Sequence, residues 1–345
     1  MTAFPDSEPF FTENAEKWSQ IAAAIKQAKR IYITSHVNPD GDSLGSEMAV
    51  ARFLEESGKN VRVINQSVTP ELYEYLDPDG LIETVDGNGA PECKPGTGDL
   101  IFFLDMSNYS RSGRDVESLA ESGARIVVVD HHVYDGIDGD IVVTNTEASA
   151  TASLVYDLLY SIDSEMITPR IAEALLTGII TDTGYFSFSN TTPRTLRIAA
   201  RLYERGTSTR DIRKKLESGF PLGKQKLLGM ALSSLTVTGD GRVAYAAIRT
   251  EMFKKAGALR EHTDGIIEQV KLVKGIHVAV LIIQENSHTF KASFRSMSGV
   301  PVNEIARSLG GGGHVKAAGA TMEGTFSDVR GKILDTINDF IDNTR

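Results

Sequence analysis

The sequence predicts an α/β protein: a parallel sheet covered by helices, joined through a helical linker to a smaller mixed α+β domain. Two patterns carry this prediction. In the first half, short runs of β-branched and aromatic residues alternate with helical periodicity, the rhythm of strand-helix-strand crossovers. After Leu227 that rhythm gives way to strands separated by tight turns. The length agrees, because 345 residues exceed what one ordinary core serves.

Taken in order, Arg30–Ser35, Val61–Asn65, Leu100–Leu104 and Ala124–Val129 read as strands, and their near-continuous apolar character implies burial on both faces. Helical patterns lie at Ser43–Ser57 and Ser112–Ser122. A helix opens at Glu147 and runs to about Ser161. Pro169, suited to a first turn, opens another whose apolar positions are Ile171, Ala174, Leu175 and Ile179, with Asp182 at its far end. The Arg- and Lys-rich helical stretch from Thr192 to Glu217 reads as a connector. The expected domains are therefore 1–191 and 227–345, with a linker over 192–226. Beyond it, 235–238 and 243–248 form a hairpin across Gly239-Asp-Gly241. Val278–Gln284 and Thr289–Ser296 are further strands, among helices at Thr263–Lys274, Pro301–Leu309 and Phe326–Asp342. There is no internal repeat.

Hydrophobic content of 41% supports packed cores. The first residues lack the basic and apolar regions of a signal peptide, and no eighteen apolar residues run uninterrupted, so no membrane association is expected. The single cysteine, Cys93, lies in a Pro/Gly-rich stretch and cannot form an internal disulfide, which fits a cytoplasmic protein. Net charge is −10, and it is unevenly spread: residues 226–345 carry 15 Lys+Arg against 12 Asp+Glu, leaving 21 against 34 for residues 1–225. Holding a long duplex requires many Lys and Arg contacts to phosphates, which this first half cannot supply. Short or mononucleotide substrates fit.

Ligands of parallel sheets bind outside the carboxyl ends of the strands, and the titratable residues collect there. His36-Val-Asn-Pro-Asp-Gly-Asp42 follows the first strand, Asp105 the third, and Asp130-His131-His132 the fourth. On an extended loop, Asp40 and Asp42 flank Gly41 and point the same way. Pro39 restricts Asn38, and Gly41 permits unusual dihedrals. Adjacent imidazoles after a buried strand suit a metal, with a neighbouring carboxylate to orient a ring. Asp182 stands at a helix C-terminus, where the dipole disfavours a carboxylate unless a cation compensates. This oxygen and nitrogen inventory suits two hard divalent cations sharing one carboxylate. His277 and His288 read as ordinary structural residues, and His262 as a surface residue.

Seven segments complete the pattern: His36-Val-Asn-Pro-Asp-Gly-Asp-Ser-Leu-Gly-Ser46, Asp105, Asp130-His-His132, Glu147-Ala-Ser-Ala-Thr-Ala152, Thr177-Gly-Ile-Ile-Thr-Asp-Thr183, Ser189-Asn-Thr-Thr192 and Gly310-Gly-Gly-Gly-His-Val-Lys-Ala-Ala-Gly319. Together they resemble the DHH phosphoesterase superfamily with its DHH-associated C-terminal domain, and within it the oligoribonuclease and pAp-phosphatase (nanoRNase) type. The resemblance implies two manganese ions, one held by His36, Asp40 and Asp105, the other by Asp42, Asp105, His131 and Asp182. It makes Asp130 and His132 catalytic, the first orienting a histidine and the second contacting phosphate or assisting proton transfer. It also gives the second domain the nucleotide, through Arg295, Gly311, Gly312, Gly313 and His314, with Lys316 nearby, although a flexible hairpin is the commoner explanation of a glycine run. The chain departs from the family where a second acid often follows the bridging aspartate, because Asn108 stands there. The expected activity is hydrolysis of short oligoribonucleotides to mononucleotides and of pAp to AMP. A cyclic-dinucleotide or pApA phosphodiesterase is the alternative within the class. An inactive nucleotide or single-stranded RNA binding protein is the alternative outside it. A homodimer is compatible with either.

Overall fold

Ile31–Thr34 (β1), Val61–Asn65 (β2), Ile82–Thr84 (β3), Leu100–Leu104 (β4), Arg125–Asp130 (β5) and Ile141–Thr144 (β6) build one sheet in the computed structural model, which describes residues 14–85, 94–111, 113, 118–134, 136–218, 221–238 and 240–343. Every residue of β4 and all but the first of β5 are buried, which requires helices on both faces. All pairings are parallel, in the order β3-β2-β1-β4-β5-β6. The order runs outward in both directions from the β1/β4 pair, so a crevice opens at the carboxyl ends of these two strands. β3 and β6, edge strands of three and four residues, are too short to show a pattern in the sequence and were not expected from it.

The helices of this unit are Ala15–Gln27 (α1), Gly41–Glu56 (α2), Thr151–Asp163 (α3), Pro169–Asp182 (α4), Pro193–Glu204 (α5) and Thr209–Ser218 (α6). Small residues let α2, α3 and α4 approach closely. A Cβ at Gly45 would lie 2.4 Å from the Ala174 carbonyl oxygen, and one at Gly178 would lie 2.6 Å from the Ala152 Cβ. Helix α3 starts at Thr151, later than the expected Glu147, because the Asn145 side chain accepts from the Glu147 amide and holds that stretch in a turn. Of the helix expected over Ser112–Ser122, only 118–120 is helical among the described residues. Cys93 lies outside them.

The chain divides into two compact units, Met1–Gly219 and Phe220–Arg345. The stretch read as a connector is two helices: α5 and α6 bury Ile198, Leu202, Ile212 and Leu216 in the first unit's core, and Leu222–Ser233 (α7) falls in the second unit.

The second unit is a mixed sheet in the order β11-β12-β10-β9-β8-β7, built from Thr236–Val237 (β7), Val243–Ile248 (β8), Val278–Gln284 (β9), Thr289–Ser296 (β10), Gly312–His314 (β11) and Ala317–Glu323 (β12). The expected hairpin is present as β7 and β8, and only the β8/β9 pair is parallel. Helices Thr250–Ala256 (α8), Ile266–Val270 (α9), Val302–Ser308 (α10) and Phe326–Asn343 (α11) cover it. His262, expected at the surface, is buried, with Nδ1 accepting from the Leu259 amide at 3.0 Å. No helix among the described residues is long and apolar enough to cross a membrane.

Candidate metal centre

The loop after β1 does not stay extended through Asp42, as its sequence was read. Asp40 is the N-cap of α2: its Oδ1 accepts from the amides of Asp42 at 3.0 Å and Ser43 at 3.1 Å, while its side chain stays half exposed. Asp42 lies inside the first turn and is buried. Asn38 is left-handed (φ 54°) in spite of the proline that follows, and its amide donates to Ser67 Oγ. Gly41 serves close approach and not an unusual dihedral, since a Cβ there would lie 2.4 Å from Thr181 Oγ1.

Asp105 occupies the middle of the cluster. It follows β4 with a left-handed backbone (φ 58°), a strained conformation for a non-glycine residue and one that collects at functional sites. Its two oxygens face different groups. Oδ2 lies 3.3 Å from His36 Nε2, which is also 3.9 Å from Asp40 Oδ2. Oδ1 lies 3.6 Å from His131 Nε2, which is 3.8 Å from Asp42 Oδ2 and 3.7 Å from Asp182 Oδ2. Ligand atoms of His36, Asp40 and Asp105 lie within 4.8 Å of one another, as do those of Asp42, His131 and Asp182. All six residues expected to bind metal therefore converge in two groups that meet at Asp105.

The donor chemistry fits divalent cations. His36 Nδ1 lies 2.9 Å from the Val37 carbonyl, which places a ring proton on Nδ1 and turns Nε2 toward the carboxylates. That buried Nε2 makes no hydrogen bond. Burial, followed by the charges of Asp105, Asp182 and Asp40, pushes the Asp42 carboxyl well above its usual range. Burial likewise raises Asp182 to about 6, with His131 opposing and Asp105 and Asp40 adding to the rise. Four carboxylates this close cannot all ionise cheaply without positive charge among them. The N-terminus of α3 fixes two of these carboxylates: Thr151 N (2.6 Å) and Ala152 N (2.9 Å) donate to Asp42, and Thr151 Oγ1 donates to Asp105 at 2.9 Å.

A family description, "DHH family, N-terminal domain", matches residues 30–179, and "DHHA1 domain" matches residues 240–343. A Thermus thermophilus protein named bifunctional oligoribonuclease and PAP phosphatase NrnA is 33% identical over 327 residues, covering 93% of this chain and 92% of its own. The chain belongs to the DHH family. A Bacillus subtilis protein with the same name is 27% identical, covering 88% of this chain and 93% of its own. The crystal structure of an exopolyphosphatase-related protein from Bacteroides fragilis shares the fold at a TM-score of 0.86 and 24% identity, covering 94% of this chain and 96% of its own.

The motif that names the DHH family adds Asp130 and His132 beside the cluster. Asp130 Oδ1 lies 3.0 Å from the His132 amide and 2.8 Å from His132 Nδ1. Burial would raise the Asp130 carboxyl, but the His132 hydrogen bonds win and lower it. The same bond raises the imidazole against its own burial. Sequence reasoning passed over two supports of the centre. Glu47, fully buried on α2, accepts from Asn65 Nδ2 at 2.9 Å, and burial lifts its carboxyl to about 7 despite that bond. Its signal was present, as the lone acid in the run Leu44–Leu54. Asn190 Nδ2 donates to the carbonyls of Ser149 and Asp182, and nothing but its place in a motif marked it.

In the DHHA1 domain, Arg295 lies on β10, with Nε donating to Glu268 Oε1 at 2.9 Å and Nη1 donating to the Phe294 carbonyl. Gly312 to His314 form the hairpin strand β11, paired with β12. The hairpin itself requires two of these glycines: a Cβ at Gly311 would lie 2.1 Å from the Gly319 carbonyl oxygen, and Gly313 (φ 138°) packs on Ala318, whereas Gly312 has open space. His314 and Lys316 are exposed.

Proposed function

We propose that this DHH-family phosphoesterase hydrolyses short oligoribonucleotides to mononucleotides and pAp to AMP, using two divalent cations, manganese by family likeness. The placement of Asp105 carries this reading, since its two oxygens face separate donor groups. His36, Asp40 and Asp105 would hold one cation, and Asp42, Asp105, His131 and Asp182 the other. Bound there, such a pair acidifies water and offsets charge developing on the phosphoryl oxygens. The names of the Thermus and Bacillus relatives supply the two substrate classes.

The chain's own residues would do the remaining work. Asp130 holds the Nδ1 proton of His132, which leaves Nε2 free to hold or pass a proton to the leaving oxygen. His132 is 41% exposed, enough for a substrate to reach it. In the DHHA1 domain, Arg295 keeps Nη2 without a protein partner among the described residues. That nitrogen, the exposed Gly312 and His314 form the proposed grip on the nucleotide's phosphate, with Gly311 and Gly313 shaping the hairpin that presents them.

A panel of diribonucleotides, pAp, cyclic dinucleotides and pyrophosphate with added Mn2+ tests this proposal. The first two should turn over, and Asp105→Asn should lower their kcat/KM by roughly a thousandfold, about 4 kcal/mol of transition-state stabilisation, while the unfolding midpoint is kept. Turnover confined to cyclic dinucleotides would change the substrate, and an active Asp105→Asn variant would overturn the two-cation scheme.

A further inference from the structure

Helix α4 ends in a glycine cap, with Gly184 N donating to the Thr181 carbonyl at 3.2 Å and Tyr185 N to the Ile180 carbonyl at 2.7 Å, and the chain stays left-handed beyond it. Gly184, Tyr185 and Phe186 are all left-handed, with φ of 53°, 56° and 63°. Two consecutive non-glycine residues in that region mark a strained turn, and such turns persist where the surroundings demand them. Here the turn presents the Tyr185 ring, 40% exposed, to helix α6, and the Arg213 guanidinium carbon lies 5.7 Å from the ring centroid. Between turn and helix is a recess of about 710 Å3 lined by Tyr185, Phe186, Arg210, Arg213, Lys214 and Glu217.

Three cations meet a single acid there. Arg213 pairs with Glu217 through Nε at 2.5 Å, while Arg210 and Lys214 make no ion pair among the described residues. This positive recess is set in the acidic half of an acidic chain. A half-exposed ring beside a guanidinium, next to two cations with no ion pair among the described residues, suits a ligand with both an aromatic face and a phosphate, such as a nucleotide. Tyr185 follows Asp182 by three residues, so at most about 11 Å of chain separates them. Stacked nucleotides advance about 3.4 Å each, so a strand with its reacting phosphate at the cluster reaches the recess within a few nucleotides.

We propose that this recess is a second RNA subsite, in which Tyr185 stacks a base and Arg210 and Lys214 hold phosphates of nucleotides beyond the bond being cleaved. It rests on the reading that the centre hydrolyses RNA, and it makes longer oligoribonucleotides bind more tightly than dinucleotides.

Fluorescence anisotropy of labelled di- and pentaribonucleotides on the full chain in EDTA tests the subsite with no turnover involved. Arg210→Ala/Lys214→Ala should weaken pentamer binding at least about tenfold and dimer binding less than about twofold. The slope of log affinity against log salt should flatten by about 1.4, or 0.7 for each lost phosphate contact. Tyr185→Leu should cost the pentamer about fivefold or more, the low end of a lost base stack. Lys214→Glu, an exposed change that leaves the fold alone, should weaken the pentamer further than Lys214→Ala. Pentamer affinity equal to wild type in these variants, or equal losses for dimer and pentamer, would overturn the subsite. If the variants lose the pentamer while the wild type, given Mn2+, hydrolyses no RNA, the catalytic reading fails and the subsite stands.

Discussion

Glu47 shows how a single residue records the stress behind the centre. It is fully buried, its partner is a neutral amide, and its carboxyl is lifted from 4.5 to about 7. The folded protein thus binds this proton more tightly than the unfolded chain does. Its contribution to stability is complete below pH about 4.5 and is lost as pH rises through about 7. Glu47→Gln removes the ionisable group and keeps the amide bond. In metal-free buffer at pH 8, denaturant unfolding should show the variant more stable by on the order of 3 kcal/mol, and the gain should vanish near pH 4.5. No gain at pH 8 would mean that Glu47 is compensated by charge. At this scale the clustered acids and imidazoles were legible, and of their supports only Glu47 left a local sign. His36, Asp105, His131 and Asp182 stand out because polar residues at the ends of apolar elements are chemically conspicuous. The Glu47–Asn65 pair joins a helix to a strand across eighteen positions, and no local pattern marks such a contact.

At the scale of elements, the centre is assembled by close helix packing. Helix α2 brings Asp40 and Asp42, α3 offers its N-terminal amides, and α4 delivers Asp182, so the spacing of these helices sets the spacing of the carboxylates. Gly45→Ala would push a methyl against the Ala174 backbone. We expect it to destabilise by about 1–3 kcal/mol even though alanine is the better helix former, and to weaken Mn2+ binding measured by calorimetry. Gly229→Ala on α7 meets open space and should be neutral or stabilising by up to about 1 kcal/mol. If both substitutions behave alike, helix spacing does not govern the site. The sequence showed α2 and α4 by periodicity, but it placed the start of α3 four residues early. The Asn145 turn that delays the helix is a side-chain contact, and apolar spacing is blind to it.

Over the whole molecule, the division of labour follows from the architecture. In the first unit, the strand order reverses at β1/β4, and His36 and Asp105 follow those two strands, which is where a doubly wound sheet leaves room for a ligand. The parallel sheet was readable because its central strands are apolar throughout. Its edge strands and α1 were not, since short segments gain their structure from neighbours. The chain also joins its parts differently from its apparent composition: the Arg- and Lys-rich helices α5 and α6 carry their apolar stripes into the first core. Crystals grown with Mn2+ and measured at the manganese absorption edge test the shared-carboxylate centre most directly. Two anomalous peaks about 3.5–4 Å apart are expected, one beside His36 and Asp40, the other beside Asp42, His131 and Asp182, each bonded to one oxygen of Asp105. A single peak, or a pair that Asp105 does not join, would contradict it.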